Sequence, residues 1–202
     1  KAVFANEVMC SVYSPAKSTP NLCYTYDFLT KIYPPSETDD RVDAWFDENI
    51  YSTLDGAPKE ILKFENPDIY NDGGALTANA GNQVVFRLAD AILLYAEALA
   101  DLGTNDGKAC ELLNRIRTRA GASTLSLSGD DLKDAIYWER VRELMGEGHY
   151  FYDLVRTGKV CDNNYCYHPI TRSEFREGAW TWPISKTAQE NNTLITLNNY
   201  WE

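Results

Sequence analysis

The sequence predicts an all-α fold, mostly helix with long irregular loops, in which paired helices pack against a loop-rich layer. Three observations lead there. Apolar residues recur at three- and four-residue steps over residues 85–102 and again over 109–120, which places them on one face of a helix. A further helical stretch runs over residues 136–158. Residues 1–83, by contrast, are rich in Pro, Tyr, Asn, Asp and Gly and show no sustained period, so they read as loop.

In chain order, PAKSTPN, YPPSETDD, DGAPKE and NDGGALTANAGN are turn or loop signals, with one short helix expected over residues 43–51. Tyr24, Tyr26, Phe28, Tyr33, Trp45, Phe46, Tyr51, Phe64 and Tyr70 give this layer too much aromatic surface for a disordered segment. Val85, Leu88, Ala89, Ile92, Tyr95, Ala96, Leu99 and Leu102 then form a stripe that Gly103 ends. Asp106 reads as the N-cap of a second helix, with Ala109, Leu112, Leu113, Ile116 and Ala120 inside and Gly121 closing it. This αα-hairpin resembles one tetratricopeptide repeat, and no second copy follows. Ser128 with Asp131 is a capping-box start for a third helix. Gly146 and Gly148 should break that helix, leaving residues 150–157 as a separate piece. The expected organisation is a loop-rich, ligand-facing segment at 1–83, a helical core at 84–158, and a C-terminal loop region at 159–202 packing back on the core.

Composition narrows the function. A net charge of −11 argues against a nucleic-acid partner, which requires clustered Lys and Arg. No stretch approaches the ~18 apolar residues of a membrane helix. The chain opens at Lys1 without an initiator Met or signal-peptide pattern, so we expect a trimmed chain whose targeting or lipid-anchoring segment lies elsewhere. Of the five cysteines, Cys161 and Cys166 bracket DNNY, and Cys10 and Cys23 flank a Pro-containing stretch. Either pair is a candidate disulfide in an oxidising compartment, while Cys110 reads as a buried thiol. With no CxxC and only His149 and His168, neither a structural zinc nor any other metal or cofactor is expected.

The strongest chemical signal is a column of carboxylates. Glu139, Glu143 and Glu147 follow one another at four-residue steps, so a helix stacks them on one face. Stacked like charges need cations, a metal, or protons. A glycosidase acid/base pair would need two carboxylates ~5–10 Å apart, which many surface helices also satisfy. A helical-bundle metal site usually adds a Glu-x-x-His motif, which is missing. Ion pairing is the favoured reading: Arg115 and Arg119 share the four-residue step, Arg117 lies beside them, and Arg87, Asp90, Glu97 and Asp101 stripe the first helix. No G-x-S-x-G elbow or phosphate-binding loop appears. The aromatic loops suit sugar binding, since Tyr and Trp present flat apolar faces to the CH faces of sugar rings; any one of them could equally just pack a loop onto a helix. Tyr33, Trp45 and Tyr51 are the stacking candidates and Asp39 the hydroxyl partner.

At this point the residues resemble a known family. FRLADAILLYAEALADLG (residues 86–103) and ELLNRIRTRAGA (111–122) resemble the signature helix pair of SusD/RagB-type nutrient-binding outer-membrane lipoproteins. The likeness runs through Arg87, Ala89, Asp90, Leu93, Tyr95, Ala96, Glu97 and Ala98, then Asn114, Arg117, Arg119, Ala120 and Gly121. It continues through Glu139, Arg140, Glu143, Leu144, Glu147, Gly148, Asp153, Leu154, Arg156 and Gly158, with Trp182-Pro183-Ile184 and Asp39-Asp40-Arg41 as flanking motifs. Tyr150, Val155, Thr157 and Ser185 depart from the family pattern.

The resemblance implies that these motif residues are structural and that the fold is a helical SusD-like one. It implies a non-enzymatic protein, lipid-anchored at the outer membrane and facing the exterior, that captures an oligosaccharide and delivers it to a SusC-type TonB-dependent transporter. The chain resembles the C-terminal region of such proteins. Two alternatives stand beside this reading: a protein-interaction scaffold or peptide-binding lid without sugar binding, and a glycoside hydrolase using Glu143 and Glu147.

Overall fold

The computed structural model describes residues 24–46, 50–51, 63, 84–192 and 194–202, and the regular structure among them is helical. They fall into two compact units, residues 24–150 and residues 151–202.

In the first unit, α1 (Tyr26–Ile32) starts where the Thr25 hydroxyl accepts the Phe28 N–H at 3.2 Å. It buries Phe28, Leu29 and Ile32. Helix α2 (Asp40–Trp45) begins earlier than its sequence suggests, because Asp39 accepts the Arg41 N–H at 3.0 Å and caps it. Helix α3 (Leu88–Leu102) ends at Gly103 with φ 62°, the left-handed C-terminal stop a glycine provides.

The second helix of the hairpin, α4 (Asp106–Arg119), is capped by Asn105 rather than Asp106. The Asn105 side-chain oxygen accepts the Lys108 N–H at 3.1 Å. Asp106 instead accepts the Gly129 N–H at 2.7 Å, across the connection to α5 (Gly129–Glu143). That bond replaces the capping box expected at Ser128, whose side chain caps nothing. The third helix stops at Glu143, and Gly146 and Gly148 adopt φ of 75° and 80° before α6 (Tyr150–Arg156), as the two glycines predicted.

Helices α3, α4 and α5 pack on one another around Ala89, Leu93, Ala96, Ala100, Leu112, Leu113, Ile116, Leu132 and Ile136. Three of these α3 positions are alanines, which lets the neighbouring helices approach closely. The start of α2 is sewn to the end of α4 by the Asp40 N–H, which donates to Ala120 O at 2.8 Å. Gly121 has φ 66°, and a Cβ there would run into the Asp40 carboxylate. Only glycine meets both conditions.

The second unit continues from α6 through a 3-10 turn (Lys159–Cys161), α7 (Arg172–Glu177) and α8 (Lys186–Asn191). Thr171 and Glu174 form a complete capping box on α7, with bonds of 3.1 and 2.7 Å. Cys161 and Cys166 are separate thiols, so the expected bridge is not made. Cys161 closes the 3-10 turn, while Cys166 is buried, and burial pushes its thiol pKa up. Cys110 is a buried thiol facing Leu125 O at 3.2 Å. Cys10 and Cys23 lie outside the described residues.

Candidate functional site

The carboxylate column lies in the first unit, but only Glu139 and Glu143 are on α5; Glu147 follows in the turns after it, so one helix does not carry all three as the spacing predicted. Glu139 and Glu143 are fully buried, and so is nearly all of the Glu147 side chain. Each meets cations from other parts of the chain. Glu139 Oε2 accepts from Arg117 Nη1 at 3.1 Å and from Arg142 Nη2 at 3.0 Å. Its Oε1 lies 2.8 Å from Arg41 Nη2, an ionic contact off the hydrogen-bond line. Glu143 takes Arg41 Nη1 at 2.9 Å on one oxygen and Arg87 and Arg119 on the other. Glu147 takes Arg87 Nε at 2.8 Å and Lys63 Nζ at 2.5 Å.

Arg41 therefore spans the first two carboxylates and Arg87 the last two, which knits the column along its length. Asp39 fixes Arg41 from the opposite side, with contacts of 2.8 Å to Nε and 2.7 Å to Nη2. A parallel pair, Arg140 and Asp90, joins α5 to α3 at 2.8 Å. Glu97 is half-buried further along α3, and Asp153 pairs with Arg156 at 2.7 Å within α6. Lys63 Nζ also donates to the carbonyls of Glu143 and Met145 at 2.7 and 3.0 Å. Those carbonyls lie at the C-terminal end of α5, where a cation is favourable.

The arrangement sets the protonation states. Burial alone would raise the Glu139 pKa, but Arg142, Arg41 and Arg117 outweigh it and hold the carboxyl below the usual range. Burial is likewise overcome at Glu143 by Arg119 and Arg87, and at Glu147 by Arg87 and Lys63. All three are carboxylates at neutral pH. Lys63 goes the other way: burial lowers its pKa to about 8 despite Glu147. A glycosidase needs one carboxyl held protonated, and this column does the opposite.

The ion-pair reading of the sequence holds with one exchange of partner. Arg119 reaches Glu143, but Arg115 points outward and its expected place is taken by the buried Arg117. Arg41 and Lys63 are functional members of the network that helical spacing could not reveal. Arg41 was visible only as part of the Asp39-Asp40-Arg41 motif, and Lys63 lies in a loop without periodicity.

The four residues singled out for ligand contact are brought to one neighbourhood but fall into two groups. Tyr33 is 1 % exposed, donates its hydroxyl to Arg142 O at 3.1 Å and packs edge-on against Phe46. It has no face to offer a sugar, and burial pushes its phenol pKa far up. Both Asp39 oxygens are engaged by Arg41. The geometry places these two in the scaffold, a correction to the expected contact roles. Trp45 and Tyr51 are half-buried. The Trp45 ring has Lys63 Nζ at 4.0 Å and the Arg41 guanidinium carbon at 5.9 Å from its centroid. Burial, then the charges of Asp39 and Asp43, raise the Tyr51 pKa. His149 is half-buried with its ring 6.2 Å from that of Phe86. Among the described residues no cluster of His, Cys, Asp and Glu is arranged to hold a metal.

Comparison with known proteins agrees with the motifs. The model of the SusD family matches residues 59–201. SusD-like protein P25 of Formosa agariphila is 40% identical over 107 residues, which is 50% of this chain and 20% of that protein. SusD-like protein P38 of the same organism is 42% identical over 92 residues, 40% of this chain and 18% of the relative. The crystal structure of a SusD homolog from Bacteroides thetaiotaomicron superposes with a TM-score of 0.84 at 59% identity, covering 98% of this chain and 42% of that one. The chain thus spans about a fifth of the two curated relatives and about two fifths of the solved structure.

Proposed function

Since the chain belongs to the SusD family, we propose that it is the C-terminal part of a nutrient-binding protein that captures an oligosaccharide at the cell surface and delivers it to a SusC-type TonB-dependent transporter. The protein is held at the outer membrane by a lipid anchor outside this chain and catalyses nothing itself. One observation carries the non-catalytic part: Glu139, Glu143 and Glu147 are held as carboxylates by arginine and lysine. No helix among the described residues is long and apolar enough to cross a membrane. Trp45 and Tyr51 remain the candidate sugar contacts in the first unit.

Affinity electrophoresis in gels cast with a panel of neutral polysaccharides tests the reading. The protein is expected to migrate more slowly in at least one gel than in a gel without polysaccharide. Unchanged migration throughout the panel would refute glycan capture and favour a scaffold. Sugar release abolished by Glu147→Gln would refute the non-catalytic role. Solubilised membranes from cells that make the protein should yield it together with a large outer-membrane barrel.

A further inference from the structure

Helix α3 has two apolar faces, and the first unit uses one of them. Ala89, Ile92, Leu93, Ala96 and Ala100 are buried in the core shared with α4 and α5. On the other side Leu88 is 68%, Tyr95 53% and Leu102 70% exposed, and Ala91 and Ala98 are exposed between them. These five recur at steps of three, four, three and four residues, so they form one seam along the helix. Phe86, two residues ahead of it, is 78% exposed. Only Asp90, Glu97 and Asp101 are charged on α3, and Asp90 is paired with Arg140. A helix that is apolar on both sides is a buried helix of a larger structure.

The other helix of the hairpin is built differently. On α4 the exposed positions include Glu111, Arg115 and Thr118, an ordinary polar outer face. In stacked helical repeats a polar outer face ends the stack, and an apolar one receives the next repeat. Tyr95 and Ala98 sharpen the point. Both belong to the motif whose residues read as structural, yet among the described residues nothing covers them. A structural side chain needs something to pack against.

We propose that the seam of Leu88, Ala91, Tyr95, Ala98 and Leu102 is the docking face for a helix from the part of the protein that precedes Lys1, laid lengthwise on α3. The proposal rests on the reading of this chain as the C-terminal part of a longer protein. The chain spans about two fifths of the solved SusD homolog, which leaves ample length for further helical repeats. Large residues seven apart, with alanines between them, leave two holes for side chains of the docked helix. A seven-residue step keeps the seam facing a partner that crosses at a shallow angle, about 20°. The last turn of α3 exposes Asp101 and carries no basic residue. That charge favours an occupant whose own N-terminus lies beside it, one antiparallel to α3.

The test compares this chain with the full-length product of its gene, each carrying Ala98→Cys, a small-for-small change at an exposed position. Maleimide labelling is read by mass spectrometry of the peptide that contains position 98, which separates it from the native cysteines. Labelling there is expected to be at least about tenfold slower in the full-length protein than in this chain, and equal in urea. Ala91→Cys should repeat the contrast, while Arg115→Cys on α4 should label alike in both. Equal rates at positions 91 and 98 would refute the docking and leave the C-terminal reading standing. A gene product no longer than this chain would refute both. Equal slowing at position 115 would show general burial and not a seam, and would overturn the proposal. If this chain alone sediments as a dimer already protected at position 98, a second copy is the occupant and the proposal fails. It fails too if protection appears only when the full-length protein is bound to an outer-membrane barrel.

Discussion

The first unit is held together in two unlike ways, and the contrast explains what each half of it does. Between α3, α4 and α5 the core is apolar, with Leu93, Leu113, Leu132 and Ile136 completely buried, and ion pairs such as Arg140–Asp90 and Arg117–Glu139 flank it. Between the carboxylates and the segments outside these helices the contact is ionic, with Glu139, Glu143 and Glu147 threaded by Arg41 of α2, Arg87 just before α3, and Lys63. Apolar packing is non-directional and tolerates small shifts. Buried ion pairs do not, because any misplacement leaves a charge without its partner. The ionic half fixes where an irregular loop layer sits on the helices.

Breaking the ionic half should produce the largest effect. Glu143→Ala leaves Arg41, Arg87 and Arg119 facing one another and is expected to cost about 3–5 kcal/mol in urea unfolding. Leu113→Ala in the apolar half should cost about 2–5 kcal/mol. The magnitudes overlap, but the pH dependence separates them. The folded-state pKa of Glu143 lies below its unfolded value, so its contribution is complete above the ordinary carboxylate range and is lost as pH falls through the folded pKa. The deficit of Glu143→Ala against wild type should shrink on acidification, and that of Leu113→Ala should not.

Smaller effects sharpen the comparison at its edges. Gly121→Ala forces a left-handed backbone on alanine and pushes on Asp40, for about 1–2 kcal/mol of destabilisation measured by thermal melting. Lys63 titrates in the unusual direction. Its folded pKa, about 8, lies below the ordinary lysine value, so between the two the unfolded chain binds more protons and stability rises with pH. Urea titrations above pH 8 should show that rise reduced in Lys63→Met relative to wild type. Arg115→Ala, on the solvent side of α4, should change the urea midpoint by less than about 0.5 kcal/mol. Arg119→Ala should cost more, because Arg119 reaches buried Glu143 even though it is itself 56% exposed.

The same contrast decides what was legible in the sequence. The apolar half was readable because helical spacing repeats locally: α3, its Gly103 stop, the break at Gly146 and Gly148, and α6 all follow from residues a few positions apart. Even the exchange of Arg115 for Arg117 had a signal, since Arg117 stands four residues after Leu113 and three before Ala120, on the inward face. The ionic half was only half readable. The carboxylates announce themselves by spacing, but Arg41 on α2 lies 102 residues before Glu143 and Lys63 lies 80 residues before it, and no local pattern encodes that meeting. Tyr33 and Asp39 read as available for the same reason: the partners that bury Tyr33 and engage Asp39 are distant in sequence or carry no local pattern.

The central claim is that the carboxylate column braces the loop layer and does not touch ligand. Glu143→Gln, which keeps shape and removes charge, tests it most directly when melting temperature and retardation in a polysaccharide gel are measured on the same preparation. The melting temperature should drop by several degrees while retardation, read well below that temperature, matches wild type. An unchanged melting temperature together with lost retardation would show that Glu143 belongs to the binding site and not to the brace.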